Sequence, residues 1–592
     1  MKSFLKMVLA AFVGVILATI FSVLFYTCTF LGVVASMSSE EPKVTKANDV
    51  LTLKLNGPVS EIPSDMPFNI DLMSGFSLNE GLDLRTIIDA IDVAEKDNNI
   101  VGIYLNTDGM SANPATIEAI HNRLDQFKQS GKWIVSYNDQ YSLGQYYIAS
   151  VADSIYVNTI GTVSLDGMSS LNPYFKGLLD KLGVNMQIFR VGSFKSAVEP
   201  YMLEQMSDAN REQISCYLNS IWDTMAKDIA RHRNVEVSAI DSLANLGVSF
   251  MNPEELATTG LVTGMIYKED VESIICGLTG QEKFHGITVK SLAKNFDSTF
   301  PKSGKSEVAV LYACGEIVSD NSSTSGEASI YWPTIIKEIK ALEKDDDVKA
   351  VVLRVNSPGG SAFAAEQIWK ALSDLREKKP LVVSMSDYAA SGGYYISAPA
   401  NYIFAEPNTI TGSIGVFGMI PDFSNLVSGK LGVNFHEVKT HQFGQLNTMR
   451  SATPAEAAKI QKSVEQTYDI FLTRCADGRG LSKDSVNVLG GGRVWTGSYA
   501  LANGLVDELG SLDDAVKYAA QLANIEEGNY FKKSYPAAKD PFSTLLLKQS
   551  VDEATIRIAD HIMGTDREAL NFIRNLKKAD RIQARSFDNV TL

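Results

Sequence analysis

Two tandem α/β domains are predicted for this chain, from three observations. An ordered series of residues occurs twice, each copy alternates apolar strands with amphipathic helices, and glycine-rich turns follow strands in the second copy. Residues Ile87–Leu105 align without gaps on Ile335–Leu353, a helical apolar pattern leading into an apolar strand both times. At the same offset Val135, Ser136 and Asp139 match Val383, Ser384 and Asp387, and Tyr146-Tyr147-Ile148 match Tyr394-Tyr395-Ile396. Further on, Lys181–Asn185 repeats as Lys430–Asn434, and Gly260-Leu261-Val262 as Gly504-Leu505-Val506. The period is far longer than that of a solenoid, so the copies read as two homologous domains, about 48–297 and 307–525. A chain of 592 residues is too long for one core in any case.

Before the first copy, Met7–Ala35 carries no charge and is long enough to cross a bilayer. Its apolar stretch is about twice the ~7–15 residues of a cleaved signal, which predicts a retained anchor within residues 1–40. Lys2 and Lys6 precede it and Glu40 and Glu41 follow, so the N-terminus is expected inside and the remainder outside. Between the copies, Pro301–Ser306 reads as a short polar linker. Residues 526–592 read as a charged, helical tail with no assigned role.

The second copy carries the chemistry. Leu381–Met385 is a short valine-rich strand, and a helix is expected from Tyr394 to Ala398, so Ser391 stands on a strand-to-helix turn. A lone serine there is ordinarily a helix cap. Upstream, however, the strand Ala350–Val355 runs into Asn356-Ser357-Pro358-Gly359-Gly360, and two glycine loops at neighbouring strand ends can aim N–H groups at one oxyanion.

Pro358-Gly359-Gly360, followed by Ala390-Ser391-Gly392-Gly393-Tyr394 and Thr411-Gly412-Ser413-Ile414-Gly415, resembles the Clp/crotonase superfamily. Within it, the chain is similar to the long-form signal peptide peptidases, the protease IV family of bacterial inner membranes. The resemblance runs from the apolar N-terminal segment to about residue 530. It implies two Clp/crotonase-like domains after an N-terminal transmembrane helix, with Ser391 as nucleophile and the N–H groups of Gly392 and of Gly359 or Gly360 as the oxyanion site. In the first copy Leu143 stands where Ser391 is, and Thr107-Asp108-Gly109-Met110 replaces the glycine loop. That copy instead has Gly192-Ser193-Phe194-Lys195-Ser196-Ala197-Val198-Glu199-Pro200, which resembles the family's general-base segment. The second-copy position matching Lys195 is Gly444. One copy has kept the serine and the other the lysine.

A lysine accepts a proton only when neutral, so burial must lower its pKa from about 10.4. Ser413 matches the family residue that orients the amine. The chemistry implied is acyl transfer at a peptide carbonyl without a cofactor. The family implies apolar cores of cleaved signal peptides as substrates, an inner-membrane location with the domains facing the periplasm, and a homo-oligomer, a tetramer. Three other readings are open. A crotonase-like acyl-CoA enzyme shares the fold but needs an acid pair, and a silent scaffold would not need the serine and lysine. A Ser-His-Asp peptidase would draw on His436 or His441, neither in a recognisable segment.

Composition narrows the classes further. The net charge of −15, with no basic stripe, argues against a nucleic-acid partner. Five cysteines without Cys-x-x-Cys spacing and six scattered histidines offer no metal-ligand pattern.

Overall fold

The computed structural model describes residues 21–22, 44–62, 68–71, 75–78, 82–301, 304, 306–320, 329–536 and 582–585. The predicted anchor, apart from residues 21–22, lies outside these, as do part of the linker and most of the tail. The chain is mixed α/β, and its two copies repeat the same units.

The first copy is built on β1 (Asp49–Lys54), β2 (Ile100–Asn106), β3 (Trp133–Asn138) and β4 (Ser154–Val157). Of its later strands, β5 (Asn185–Arg190) joins another sheet, whereas β6 (Gly264–Met265) lies beside β4 in this one. With β7 (Gly286–Thr288) its sheet has the order β6-β4-β3-β2-β1-β7 and is parallel throughout. Its crossover helices include α1 (Leu84–Lys96), α2 (Pro114–Lys128) and α3 (Leu143–Ala149), and α4 (Asp208–Arg233) follows β5. Asp83 caps α1 by accepting from Thr86 N, and the apolar stripe Leu84, Ile87, Ala90, Ile91 and Ala94 faces the core.

The second copy starts with β8 (Ser306–Cys314), β9 (Glu316–Val318) and β10 (Ser329–Tyr331). Helix α5 (Trp332–Lys344) then leads to β11 (Val348–Ser357), just as α1 leads to β2, and both helices have 13 residues. Next come β12 (Gly359–Ser361), α6 (Ala362–Arg376), β13 (Leu381–Ala390) and α7 (Gly392–Ser397). After them run β14 (Tyr402–Ala405), β15 (Ile410–Gly412), β16 (Phe417–Asp422) and α8 (Pro454–Arg479), and finally β17 (Val494–Thr496), β18 (Glu508–Leu509), α9 (Leu512–Leu522) and β19 (Tyr530–Tyr535). The main sheet has the order β17-β15-β13-β11-β8-β19, with β14 and β18 attached beside β13. Its strands are apolar on both faces because both are covered. Ala309 and Leu311 of β8 pack with Leu353 and Ile368, whereas Val308 and Val310 pack against Ala515 and Ala519 of α9.

Strand β19 lies beyond the expected domain end at Ile525. The tail expected to be helical from 526 onward thus opens with a strand, whose aromatic residues Tyr530, Phe531 and Tyr535 suit a sheet edge. It pairs in parallel with β8, Ser306 opposite Tyr530. A second part of the tail is also extended: β20 (Ile582–Arg585) belongs to a small sheet of order β10-β9-β12-β20-β16-β5.

This small sheet joins the copies. Strand β5 of the first copy runs antiparallel to β16 of the second, from Arg190 opposite Phe417 to Asn185 opposite Asp422. Elsewhere the Thr116 N–H and hydroxyl donate to the buried Asp387 carboxylate at 2.8 and 2.7 Å. Arg354 of β11, almost fully buried, pairs with Glu61 at 2.6 Å, and Ser384 accepts from its guanidinium at 2.8 Å. A buried charge of this kind must be paired and hydrogen-bonded to be tolerated, so these contacts fix the register of the two halves.

Candidate active site

Strand β13 ends at Ala390 and α7 begins at Gly392, so Ser391 occupies the turn with φ 55° and ψ −111°. A non-glycine residue there carries backbone strain. The turn is held by the Ser391 N–H, which donates to Gly412 O at 2.8 Å. The expected serine cap bond is not formed, so the hydroxyl is turned away from its own helix. Gly393 is required by packing, since a Cβ there would sit 2.6 Å from Ser357 O.

The lysine reaches this hydroxyl from the first copy. After β5 the chain turns through Gly192–Phe194 into a single 3-10 turn, Ser196–Val198, with Lys195 at its N-cap. Lys195 is 1% exposed and Ser391 is 0% exposed. Lys195 Nζ lies 2.8 Å from Ser391 Oγ, 3.1 Å from Ser413 Oγ and 3.4 Å from Ser413 O. The Ser413 hydroxyl donates to Gly492 O at 3.3 Å, so its lone pairs are left to accept from the lysine. With its N–H groups spent on Ser413, a neutral amine points its lone pair at Ser391.

The structure thus brings together Ser391, Lys195 and Ser413, which the sequence singled out separately. The glycine loop is beside them: Gly359 and Gly360 have φ 103° and 150°, and a Cβ on Gly360 would overlap Ile317 O. The Gly359 N–H donates to Ser357 Oγ at 3.2 Å. His436 and His441, the alternative bases, are exposed on the segment after β16, whereas Ser391 is buried. At the matching place in the first copy, Leu143 is buried at the start of α3, and Ser142 and Gln145 close a capping box there. Lys54, Asp108, Asp139, Ser142 and Lys268 line a cavity of about 670 Å³ beside it.

Sequence reading missed the lysine's cradle. Gly490-Gly491-Gly492 of the second copy runs along the lysine segment, with Gly491 O accepting from Phe194 N at 3.1 Å. A Cβ on Gly492 would lie 2.5 Å from Lys195 N, and one on Gly192 would lie 2.2 Å from Gly491 O. Only glycine permits that approach. Three consecutive glycines before an apolar strand were the available signal. Gln213, buried on α4, gave none. Its amide donates to Phe194 O at 3.2 Å and Ser196 Oγ at 2.8 Å, on either side of Lys195. Its carbonyl accepts from Val494 N at 3.3 Å. Val494 follows Arg493, whose carbonyl accepts from Ser413 N at 2.7 Å. Gln213 therefore links the lysine segment to the strand that holds Ser413. On the other side, the Arg190 guanidinium donates to Lys195 O at 3.1 Å.

A duplicated α/β fold with a glycine loop and a serine turn at neighbouring strand ends is that of the Clp-type serine peptidases. Comparison with known proteins agrees. The chain matches Peptidase family S49 over residues 126–271 and 373–526, and the Clp protease family over residues 324–411. It is 38% identical to Protease 4 of Haemophilus influenzae, over 74% of this chain and 72% of that one. To Protease 4 of Salmonella typhi it is 37% identical, over 75% and 72%. The chloroplastic serine protease SPPA of Arabidopsis thaliana is 29% identical, over 91% and 78%. The chain belongs to peptidase family S49 and is a serine peptidase.

Proposed function

We propose that the chain is a membrane-anchored endopeptidase that degrades cleaved signal peptides with a Ser391/Lys195 dyad. The observation that carries the reading is the 2.8 Å approach of Lys195 Nζ to Ser391 Oγ, with both side chains buried. Lys195 takes the serine proton as Ser391 attacks a peptide carbonyl. The N–H groups of Gly392 and the Gly359-Gly360 loop receive the oxyanion, aided by the positive end of α7. Protonated Lys195 then gives its proton to the leaving amine, and water hydrolyses the ester. Ser413 keeps the amine oriented throughout. Burial is what makes a lysine fit for this task, since water would keep it charged.

The substrate and location follow from the apolar segment Met7–Ala35. An enzyme tethered by it, with its domains outside, meets apolar peptides left in the bilayer. A ring of copies fits the same reading. The second-copy segment corresponding to β5, Asn434–Lys439, belongs to no strand in a single chain, and Phe435 and Val438 on it are 54% and 99% exposed. A neighbouring chain would cover them.

The test is cleavage of an apolar signal-peptide substrate by wild type, Ser391→Ala and Lys195→Ala in detergent or vesicles. Activity in wild type alone supports the reading; activity in either variant refutes the dyad.

A further inference from the structure

Of the motif Gly192–Pro200, the peptidase reading uses Lys195 and leaves Glu199, on the turn that follows it, without a role. Glu199 is fully buried, and a carboxylate so deep must be paired and hydrogen-bonded. Its Oε1 accepts from the Ser207 hydroxyl at 2.6 Å and its Oε2 from Ser207 N at 3.2 Å. Ser207 is the N-cap of α4, so Glu199 fixes where the helix that carries Gln213 begins. Its counter-charge is Arg190 of β5, whose Nη1 lies 3.7 Å from Glu199 Oε1 and donates to Lys195 O at 3.1 Å. One guanidinium nitrogen thus touches both the carboxylate and the lysine's backbone. Further charges near this turn are paired with each other or exposed. Arg493 lies over the Phe194 ring and pairs with Glu212 at 2.9 Å, and Asp208 and Arg211 of α4 and Glu465 of α8 face solvent. Ser391 and Ser413 bring hydroxyls to the amine, and Gly492 brings backbone to the lysine segment.

A lone buried carboxylate beside Lys195 would hold the amine as ammonium, the form that cannot act as a base. A lone guanidinium would drive the proton off. Together the two charges nearly cancel at the amine. A lysine has a four-carbon stem, so its Nζ lies within roughly 10 Å of a group bonded to its own carbonyl. At that range, with an effective dielectric constant of about 20, one unbalanced charge moves a proton equilibrium by about one pH unit. We propose that Arg190 and Glu199 are positioning residues for Lys195, a charge-balanced pair that pins the lysine turn to β5 and α4 and holds its own field on the amine near zero. The proposal rests on the reading of Lys195 as the general base. Loss of either member unbalances the amine, in opposite directions. A pair that only supported the fold would show no such opposition.

The test follows the titration of Lys195 itself in a Ser391→Ala background, by NMR of isotope-labelled lysine side chains assigned with Lys195→Ala. Glu199→Gln keeps the shape and one acceptor for Ser207 but leaves the guanidinium alone, so the midpoint should fall by about one pH unit. Arg190→Gln leaves the carboxylate alone, and the midpoint should rise by about as much. The double variant and Arg190→Lys restore the balance and should titrate as wild type does. With Ser391 intact, the pH at which single-turnover acylation rises should move with each midpoint. Its plateau should fall about tenfold or more in Arg190→Gln and in the double variant, which lose the bond to Lys195 O, with KM little changed. Midpoints that stay put, midpoints that move the same way in the two single variants, or an unchanged plateau overturn the proposal. If Arg190→Gln does not fold, the other two decide: a fall in Glu199→Gln that the double variant reverses supports the proposal, and any other result overturns it. Midpoints that move as expected while acylation fails to follow them would refute Lys195 as the base, and the pair's hold on the lysine would stand.

Discussion

Lys195 and Ser391, 196 residues apart and in different copies of one repeat, meet at 2.8 Å within a single chain. Neither copy holds both residues, and the matching positions are Gly444 and Leu143. The pair exists only because β5 and β16 zip together at the junction and the glycine run 490–492 admits the lysine segment.

The first prediction concerns that pair as a unit. Ser391→Ala and Lys195→Ala should each lower kcat by about 10⁴-fold or more, and the double variant should be little worse than either. Lys195→Arg should be equally inactive, since a guanidinium does not deprotonate in a protein. Melting curves of the variants should stay cooperative. An active arginine variant would remove the general-base role.

The second prediction is the pH dependence. The ammonium form cannot accept the serine proton, so single-turnover acylation should rise with pH as Lys195 loses its charge. Because burial disfavours the ammonium, the rise should fall below the ~10.4 of a free lysine. A rate independent of pH from neutral to alkaline would rule the mechanism out.

The third prediction tests the support behind the lysine. Gln213→Leu keeps the bulk on α4 but loses the bonds to Phe194, Ser196 and Val494. Acylation of Ser391 should slow by about 10–100-fold, the scale for a misplaced catalytic group, with KM for peptides little changed. Gly492→Ala should be more severe, since its Cβ would overlap the Lys195 backbone. A Gln213→Leu enzyme with wild-type acylation would show that Arg190 and the glycine run suffice.

How much of this was legible in the sequence depends on where the information lay. The repeat gave α1 with β2 and α5 with β11, because local apolar periodicity is written in each segment. Ser391 and Lys195 stood out because each lacks a counterpart in the other copy. Gln213 and Gly490–Gly492 did not, since their roles arise from contacts between copies, to which no local pattern points. The strands Tyr530–Tyr535 and Ile582–Arg585 were missed for a related reason. They are edge or inserted strands held by main-chain pairing with partners distant in the sequence, which no local pattern announces.

The fourth prediction concerns stability at a further contact between the copies. Glu118 of α2 is fully buried and accepts from Asn408 N at 2.9 Å, and Glu406 is buried near it. Burial pushes the Glu406 carboxyl up to about 8, and the carboxyls of Asp514, Glu61 and Asp387 push the same way against Arg354. Burial and the Glu406 charge also hold Glu118 well above the usual range. A carboxyl whose folded value is raised binds more protons folded than unfolded. Its contribution is therefore full near and below the unfolded value of about 4.5 and is lost as pH rises towards 8. Glu406→Gln should raise the melting temperature at pH 8 and leave it nearly unchanged at pH 5. An equal change at both pH values would mean that Glu406 keeps no proton.

The last prediction asks whether the active pairing stays within one chain in an assembly. Copies alternating around a ring create two kinds of junction. At one, Lys195 faces Ser391; at the other, Gly444 of one chain would approach Leu143 of the next, and no chemistry is possible. In the single chain the first kind is already complete. Strands β5 and β16 are paired from Arg190–Phe417 to Asn185–Asp422, and Lys195 is buried against its partner. Opening that junction to exchange partners between chains would expose this ladder and the buried lysine. Co-expressed Ser391→Ala and Lys195→Ala chains should therefore remain inactive at every ratio, because each intact serine stays joined to a chain that lacks the lysine. The mixed oligomers should be isolated through different tags on the two chains, so that inactivity is measured on particles known to contain both. Recovery of activity in proportion to mixing would show that the lysine crosses between chains, and the within-chain pairing would then be wrong for the assembled enzyme.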